Sequence, residues 1–207
     1  VGGRWSLKMD ATAIIMAGGK SRRMGVGVDK SMLPVKGKPL IKYILEQLYP
    51  HFSEILISSN DVPKYASLGV GVKIIRDEVA GKGPLMGIAS VLRTSANQTN
   101  FVIACDIPEI NISFVRRMLR ESKGFDAVVP QIGQTQYEPL FAVYKKSVLS
   151  AIDNAITSGN YRIIDSLKKC RVKYIDLSYI DYIDKIKNLN TMDDYLEFIG
   201  KKENAAV

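Results

Sequence analysis

The residues with the most chemistry to offer lie together at 16–30, M-A-G-G-K-S-R-R-M-G-V-G-V-D-K. Gly18 and Gly19 cut short an apolar run. Glycines there let backbone approach a ligand closely and leave N–H groups pointing outward, donors that suit phosphate oxygens or the edge of a base. Arg22, Arg23 and Lys30 follow within reach of a polyphosphate, and one charge-assisted bond to such a ligand is worth roughly 1.5–3 kcal/mol. Asp29 is the single acid among these cations. The plainer reading of the same residues is a glycine loop with solvated cations. Two more carboxylates, Asp77 and Asp106, close the apolar runs V-K-I-I-R-D and N-F-V-I-A-C-D.

Two familiar phosphate loops are excluded by spacing. A Walker loop requires G-x-x-x-x-G-K-[ST]. Gly19-Lys20-Ser21 supplies its end, but Ile14 stands where the first glycine belongs. A dinucleotide fingerprint requires G-x-G-x-x-G close behind a strand. Gly25-Val26-Gly27 leads to Lys30 instead, and it lies too far from the apolar run.

The elements that must position these groups alternate along the chain. Short apolar runs predict strands over 12–17, 54–59, 72–77, 100–106, 125–130, 138–146 and 172–176. Helical spacing predicts helices over 40–48 (entered at Pro39), within 81–95, and over 112–122, 147–159, 163–169 and 191–200. Alternation of this kind means βαβ units: an α/β fold with a doubly wound, mostly parallel sheet and helices on both faces. In such folds ligands sit outside the carboxyl ends of the strands. The basic loop, Asp77 and Asp106 all fall at that edge. We expect one domain over 1–207, with 1–8 as an extension and 201–207 as a frayed tail.

Composition narrows the classes. With 46% hydrophobic and 24% charged residues, the 207-residue chain can bury a good core. Residues 1–42 carry nine basic and two acidic residues, a local charge of +7 out of the chain's +8. Cations concentrated in one segment, with Trp5 the only aromatic before Tyr43, fit a local phosphate site better than nucleic acid. No run approaches the ~20 apolar residues of a membrane helix, and no signal peptide is expected. Cys105 and Cys170 lack a CxxC pattern and are expected as buried free thiols in a reducing cytosol. His51 alone cannot build a histidine metal site or triad.

The stretch A-G-G-K-S-R-R-M-G…D-K, followed by G-K-P-L at 37–40, resembles the signature of the molybdenum cofactor guanylyltransferases, a family of nucleotidyltransferases. That pattern reads L-A-G-G-x-S-x-R-M-G-x-x-K; Met16 replaces the leucine, and the run from Gly25 to Lys30 is longer. G-K-G-P-L-M-G-I-A-S, A-C-D-I-P-E-I, E-P-L-F-A-V-Y and N-L-N-T-M-D-D-Y then occur in the family's order. The resemblance implies transfer of GMP from GTP to the terminal phosphate of molybdopterin, with Mg²⁺ as cofactor. It implies a cytoplasmic enzyme with transient contacts to other molybdenum cofactor proteins and neither nucleic-acid nor membrane partners. Met16, Ala17 and Gly18 would contact GTP through backbone, with Gly19 beside them. Lys30, aided by Arg23, would neutralise phosphate charge. Asp77 would lie near the nucleotide, with Ser58 or Asn60 near its base or ribose. Asp106 would hold Mg²⁺; residue type and place also permit it to cap the next helix. A second metal contact would fall to Asn188 or Asn190, although Asn190 can equally cap the last helix. Glu138 would face the acceptor or simply occupy a turn. Relatives that use CTP read A-A-G, so Gly18 favours guanine; CTP or a sugar phosphate acceptor is the alternative.

Overall fold

The computed structural model of the chain describes residues 8–18, 29–66, 68, 71–178 and 186–204. Gly19, Arg22, Arg23 and Trp5 lie outside the described residues. Ten strands are described: β1 (Met9–Met16), β2 (Pro34–Val35), β3 (Lys38–Pro39), β4 (Phe52–Ser58), β5 (Val72–Ile75), β6 (Thr99–Ala104), β7 (Ala127–Ile132), β8 (Gln136–Tyr137), β9 (Phe141–Lys145) and β10 (Val172–Asp176). The α-helices are α1 (Leu40–Leu48), α2 (Val62–Tyr65), α3 (Pro84–Thr94), α4 (Ile112–Glu121), α5 (Leu149–Thr157), α6 (Ile163–Ser166) and α7 (Met192–Asn204).

The main sheet runs β10-β7-β9-β6-β1-β4-β5, with β8 paired to β7. β1 lies inside it, parallel to β4 on one side and to β6 on the other. Its sequence explains the position. A strand buried on both faces must be apolar throughout. Here Ala13 and Ile15 enter one core while Ile14 and Met16 enter the other. The first core is closed by α1, α4 and α7, the second by α3, α5 and α6. Helix α1 shows how: Leu40, Ile41, Ile44, Leu45 and Leu48 are all buried, on one helical face. Each such side chain contributes about 1.5–3 kcal/mol relative to exposure.

From β1 the chain passes to β4 and β5 on one side. It then crosses to β6 on the other. The carboxyl end of β1 is therefore the switch point of the sheet, and a crevice opens there.

The sheet is mixed. β9 runs antiparallel between β6 and β7, and β8 antiparallel to β7, so E-P-L-F-A-V-Y starts at the crevice and runs away from it rather than adding a parallel strand. Helix α7 continues through Asn204, so residues 201–204 are not the frayed tail that sequence suggested. Apolar pattern also overlooked the β2–β3 hairpin and α2, which are too short to carry a period. Both thiols are free, but they are half-buried rather than fully enclosed. No helix among the described residues is long and apolar enough to cross a membrane.

Helix α4 is capped by Asn111, whose side chain accepts from Phe114 N at 3.0 Å. Asp106 therefore does not cap it, and that alternative falls. An Asn111→Ala substitution should cost about 1 kcal/mol. It should lower the melting temperature by roughly 2–4 °C, read by circular dichroism, with activity per folded molecule unchanged.

Candidate active site

Three strand ends build the crevice. Met16, Ala17 and Gly18 leave β1, with Ala17 N donating to Ser58 O (2.9 Å) and Cys105 N donating to Met16 O (3.0 Å). These bonds carry the parallel ladder one step past the strands. They hold the exit of β1 between Ser58 of β4 and Cys105-Asp106 after β6.

The space has two lobes that share Met16, Ala17, Gly18 and Pro84. The larger, about 640 Å³, extends over Ser58, Ser59, Asn60, Asp61, Lys64 and Asp77 to Gly81 and Gly83. That is the size of a small-molecule site. The smaller, about 180 Å³, is walled by Asp29, Lys30, Ser31, Cys105, Asp106 and Leu140.

Helix α3 forms the floor of the larger lobe. Gly83 precedes Pro84 with φ 75°, a left-handed conformation that glycine adopts without penalty. Gly87 is fixed by close approach. A Cβ there would fall 2.8 Å from both Met16 Cε and Ser58 Oγ and 3.2 Å from Asp77 Oδ1. Asp77 and Asn60 bind each other reciprocally: Asn60 Nδ2 donates to Asp77 Oδ2 (2.9 Å) and Asp77 N donates to Asn60 Oδ1 (3.0 Å). The pair ties the end of β4 to the end of β5.

At the smaller lobe Lys30 Nζ lies 3.1 Å from Asp106 Oδ2, with the side chains 14% and 22% exposed. Asp29 is bonded to its surroundings through both oxygens. Oδ1 accepts from Ser31 N and Oγ, and Oδ2 from Lys64 Nζ at 2.6 Å. Burial alone pushes its carboxyl up, but the bonds from Lys64 and Ser31 outweigh that and hold it below the usual carboxylate range. The Cys105 thiol is pushed up to about 12 by burial, with the Asp106 charge adding to it. It is neutral at physiological pH and no nucleophile.

Residues 138 and 188 lie near Asp106, behind the lining of the smaller lobe. Glu138 is half-buried, at the first position of a turn closed by Phe141 N donating to Glu138 O (3.0 Å). Burial pushes its carboxyl up, the Asp106 charge adds, and hydrogen bonds from Gln136 and Asn188 oppose. Leu189 N donates to Asp106 O at 2.8 Å, which seats 187–190 against the end of β6. Asn188 Oδ1 is buried and has no hydrogen-bond partner among the described residues. Asn190 is exposed, and the cap of α7 is Thr191. Asp194 N donates to Thr191 Oγ1, while Asp194 Oδ2 accepts from Thr191 N and Oγ1. The side-chain cap proposed for Asn190 is therefore not formed.

These donors suit a hard divalent cation. A buried amide oxygen left unpaired normally costs free energy, and here it lies on the segment bonded to Asp106. No group of three or more His, Cys, Asp or Glu residues among those described forms a self-sufficient metal cage.

The structure thus gathers Met16, Ala17, Gly18, Lys30, Ser58, Asn60, Asp77, Asp106, Glu138 and Asn188 around one crevice. It leaves Asn190 at the surface. Sequence reasoning did not single out Ser31, Lys64, Tyr65 or Gly87. Of these, only Gly87 carried a signal, as the second glycine of G-P-L-M-G.

The MobA-like NTP transferase domain model matches residues 13–171. A probable molybdenum cofactor guanylyltransferase of Pelotomaculum thermopropionicum is 34% identical over 201 residues, covering 95% of this chain and 96% of that protein. The molybdenum cofactor guanylyltransferase of Shewanella putrefaciens is 32% identical over 190 residues, covering 90% of this chain and 94% of its own length. The crystal structure of molybdopterin-guanine dinucleotide biosynthesis protein A from Archaeoglobus fulgidus superposes with a TM-score of 0.79. It is 25% identical, with 93% of this chain and 99% of that one covered.

Glu138 gives this arrangement a pH signature. Its carboxyl is raised in the folded chain, so between its unfolded and folded titrations the folded state binds more protons and stability falls as pH rises. Glu138→Gln removes that loss and keeps an acceptor for Asn188. Its melting temperature relative to the parent should climb from about pH 4.5, where an ordinary glutamate titrates, and level off above the raised titration. A constant difference across pH 4–8 contradicts the burial argument.

Proposed function

The chain belongs to the MobA-like NTP transferase family, and from that premise we propose that it is a GTP:molybdopterin guanylyltransferase. It transfers GMP from GTP to the terminal phosphate of molybdopterin, giving molybdopterin guanine dinucleotide and pyrophosphate. An acceptor phosphate oxygen bonds to the α-phosphorus. The bond from that phosphorus to the bridging oxygen breaks, and pyrophosphate leaves with the electron pair.

The observation that carries the reading is the Lys30–Asp106 pair, set beside Gly18 where the two lobes meet. The reaction needs no protein nucleophile, because the acceptor phosphate already bears charge. It needs positioning and electrostatic stabilisation. Backbone at Met16, Ala17 and Gly18 receives the nucleotide. The lobe bordered by Ser58, Asn60 and Asp77 takes its base and ribose, so the phosphates reach Lys30. Gly19 and Arg23 complete the phosphate loop.

Asp106 and Asn188 Oδ1 would hold Mg²⁺, which when bound neutralises charge on the reacting phosphates. Lys30 then exchanges Asp106 for a phosphate oxygen. Charge favours the exchange: Asp106 offers Lys30 one carboxylate, whereas a triphosphate offers more negative charge and several acceptor oxygens. Glu138 and Asn188, near Asp106, would serve the acceptor side, and Asn190, at the surface, would be a further acceptor contact. We further propose a single nucleotidyltransferase domain that works in the cytoplasm and meets other molybdenum cofactor proteins transiently.

A substrate matrix tests the reading. GTP or CTP is offered with metal-loaded molybdopterin or a sugar 1-phosphate, and pyrophosphate release is followed. GTP with the pterin should exceed every other pair by more than about tenfold, a barrier difference of about 1.4 kcal/mol. Preference for CTP or for the sugar phosphate overturns the assignment of base or acceptor respectively.

A further inference from the structure

Helix α2 is only four residues long, yet it grips the chain on both sides of Lys30. Lys64 Nζ donates to Asp29 Oδ2 at 2.6 Å. Its neighbour Tyr65 places its hydroxyl 2.8 Å from Ser31 Oγ. Asp29 and Ser31 flank Lys30 directly, so two consecutive residues of α2 hold the two residues beside the lysine.

Counting protons shows how the grip works. Ser31 and Tyr65 bring two hydroxyl protons to three contacts: Ser31 Oγ to Asp29 Oδ1 (2.7 Å), Ser31 Oγ to Tyr65 OH (2.8 Å) and Tyr65 OH to Ala17 O (3.3 Å). The carboxylate is the strongest acceptor and takes the Ser31 proton. Tyr65 therefore donates to Ser31 Oγ, with Ala17 O as its longer, weaker partner. The chain of bonds runs Tyr65 to Ser31 to Asp29, and Lys64 closes it from the other side. Ser31 is 1% exposed and Tyr65 is 2% exposed, so the bond between them is shielded from water and not readily replaced.

The clamp is itself anchored. Ser59 N donates to Ile75 O (2.9 Å), Asp61 N to Ser59 Oγ (3.1 Å), and the Asp61 side chain caps α2 at Lys64 N. The Tyr65 ring packs in the core that β1, α1 and α4 share. Lys64 and Tyr65 are thus placed by the end of β4, the same strand end that borders the larger lobe. Through Ala17 O, Tyr65 also senses where β1 ends.

We propose that Lys64 and Tyr65 are positioning residues that fix the Lys30 ammonium where the triphosphate enters. The proposal rests on the reading of this crevice as a triphosphate site. Neither residue performs chemistry; both act through Lys30. Tyr65→Phe removes one hydroxyl and keeps the packed ring, so the fold has little reason to fail. Lys64→Met breaks the opposite jaw from a half-exposed position and serves as the second variant.

The test is calorimetric binding of GTP and of GMP, in the parent and in a Lys30→Ala background. It needs no acceptor, so loss of the pterin assignment leaves it intact. In the parent background, Tyr65→Phe and Lys64→Met should each reduce the advantage of GTP over GMP about fivefold to tenfold; GMP affinity should stay within twofold of its original value for Tyr65→Phe, the variant that does not border the larger lobe. In the Lys30→Ala background neither substitution should change the GTP affinity by more than about twofold, because the route runs through Lys30. Equal losses in both backgrounds, a matching loss for GMP in Tyr65→Phe, or an unchanged GTP advantage in the parent background would each overturn the proposal.

Discussion

The site depends on one ion pair, formed by residues 76 positions apart in sequence. A crevice at the end of a parallel sheet collects backbone dipoles and lone charges, and an uncompensated carboxylate or ammonium there would be costly. Lys30 and Asp106 compensate each other at 3.1 Å. Their pairing keeps the site ready without locking it, because both groups remain partly exposed; in the proposed reaction phosphate would take the lysine and a divalent cation the aspartate. The rest of the architecture serves this arrangement. β1 between β4 and β6 brings the strand ends together, α2 holds the neighbours of Lys30, and the 187–190 segment is bonded to the backbone of Asp106.

Much of this was legible before any coordinates. T-A-I-I-M-A read as a buried strand, because after Thr12 it is apolar at every position and glycine ends it. Helix α1 followed from its 3.6-residue apolar spacing and its proline start. Asp77 and Asp106 could be placed at one edge because parallel strands all point their carboxyl ends the same way. The concentration of charge in residues 1–42 already favoured a local phosphate site over a nucleic-acid surface.

What escaped the sequence escaped for physical reasons. Single-residue hydrogen bonds between distant segments leave no periodic trace, so nothing marked Tyr65 as the partner of Ser31 or Lys64 as that of Asp29. The reversal of β9 is decided by the turn at Glu138 and by pairing with β6 and β7, which apolar pattern cannot express. Asn188 and Asn190 read alike in N-L-N-T. Only the cap at Thr191 and the bond from Leu189 N to Asp106 O separate the buried amide from the exposed one. Gly87 appeared as one glycine of a motif, and its reason is the 2.8 Å that separates an added Cβ from Met16 and Ser58.

If Lys30 occupies Asp106 until phosphate draws it away, metal and nucleotide must bind cooperatively. Titration of Mn²⁺ followed by electron paramagnetic resonance, with and without a non-hydrolysable GTP analogue, measures that coupling. The account predicts weak Mn²⁺ binding to the parent alone and at least about tenfold tighter binding with the analogue, a coupling of about 1.4 kcal/mol. It predicts that Lys30→Met binds Mn²⁺ more tightly than the parent in the absence of nucleotide, and that Asp106→Asn loses the metal in both conditions. Identical nucleotide-free Mn²⁺ affinities for the parent and Lys30→Met would contradict it.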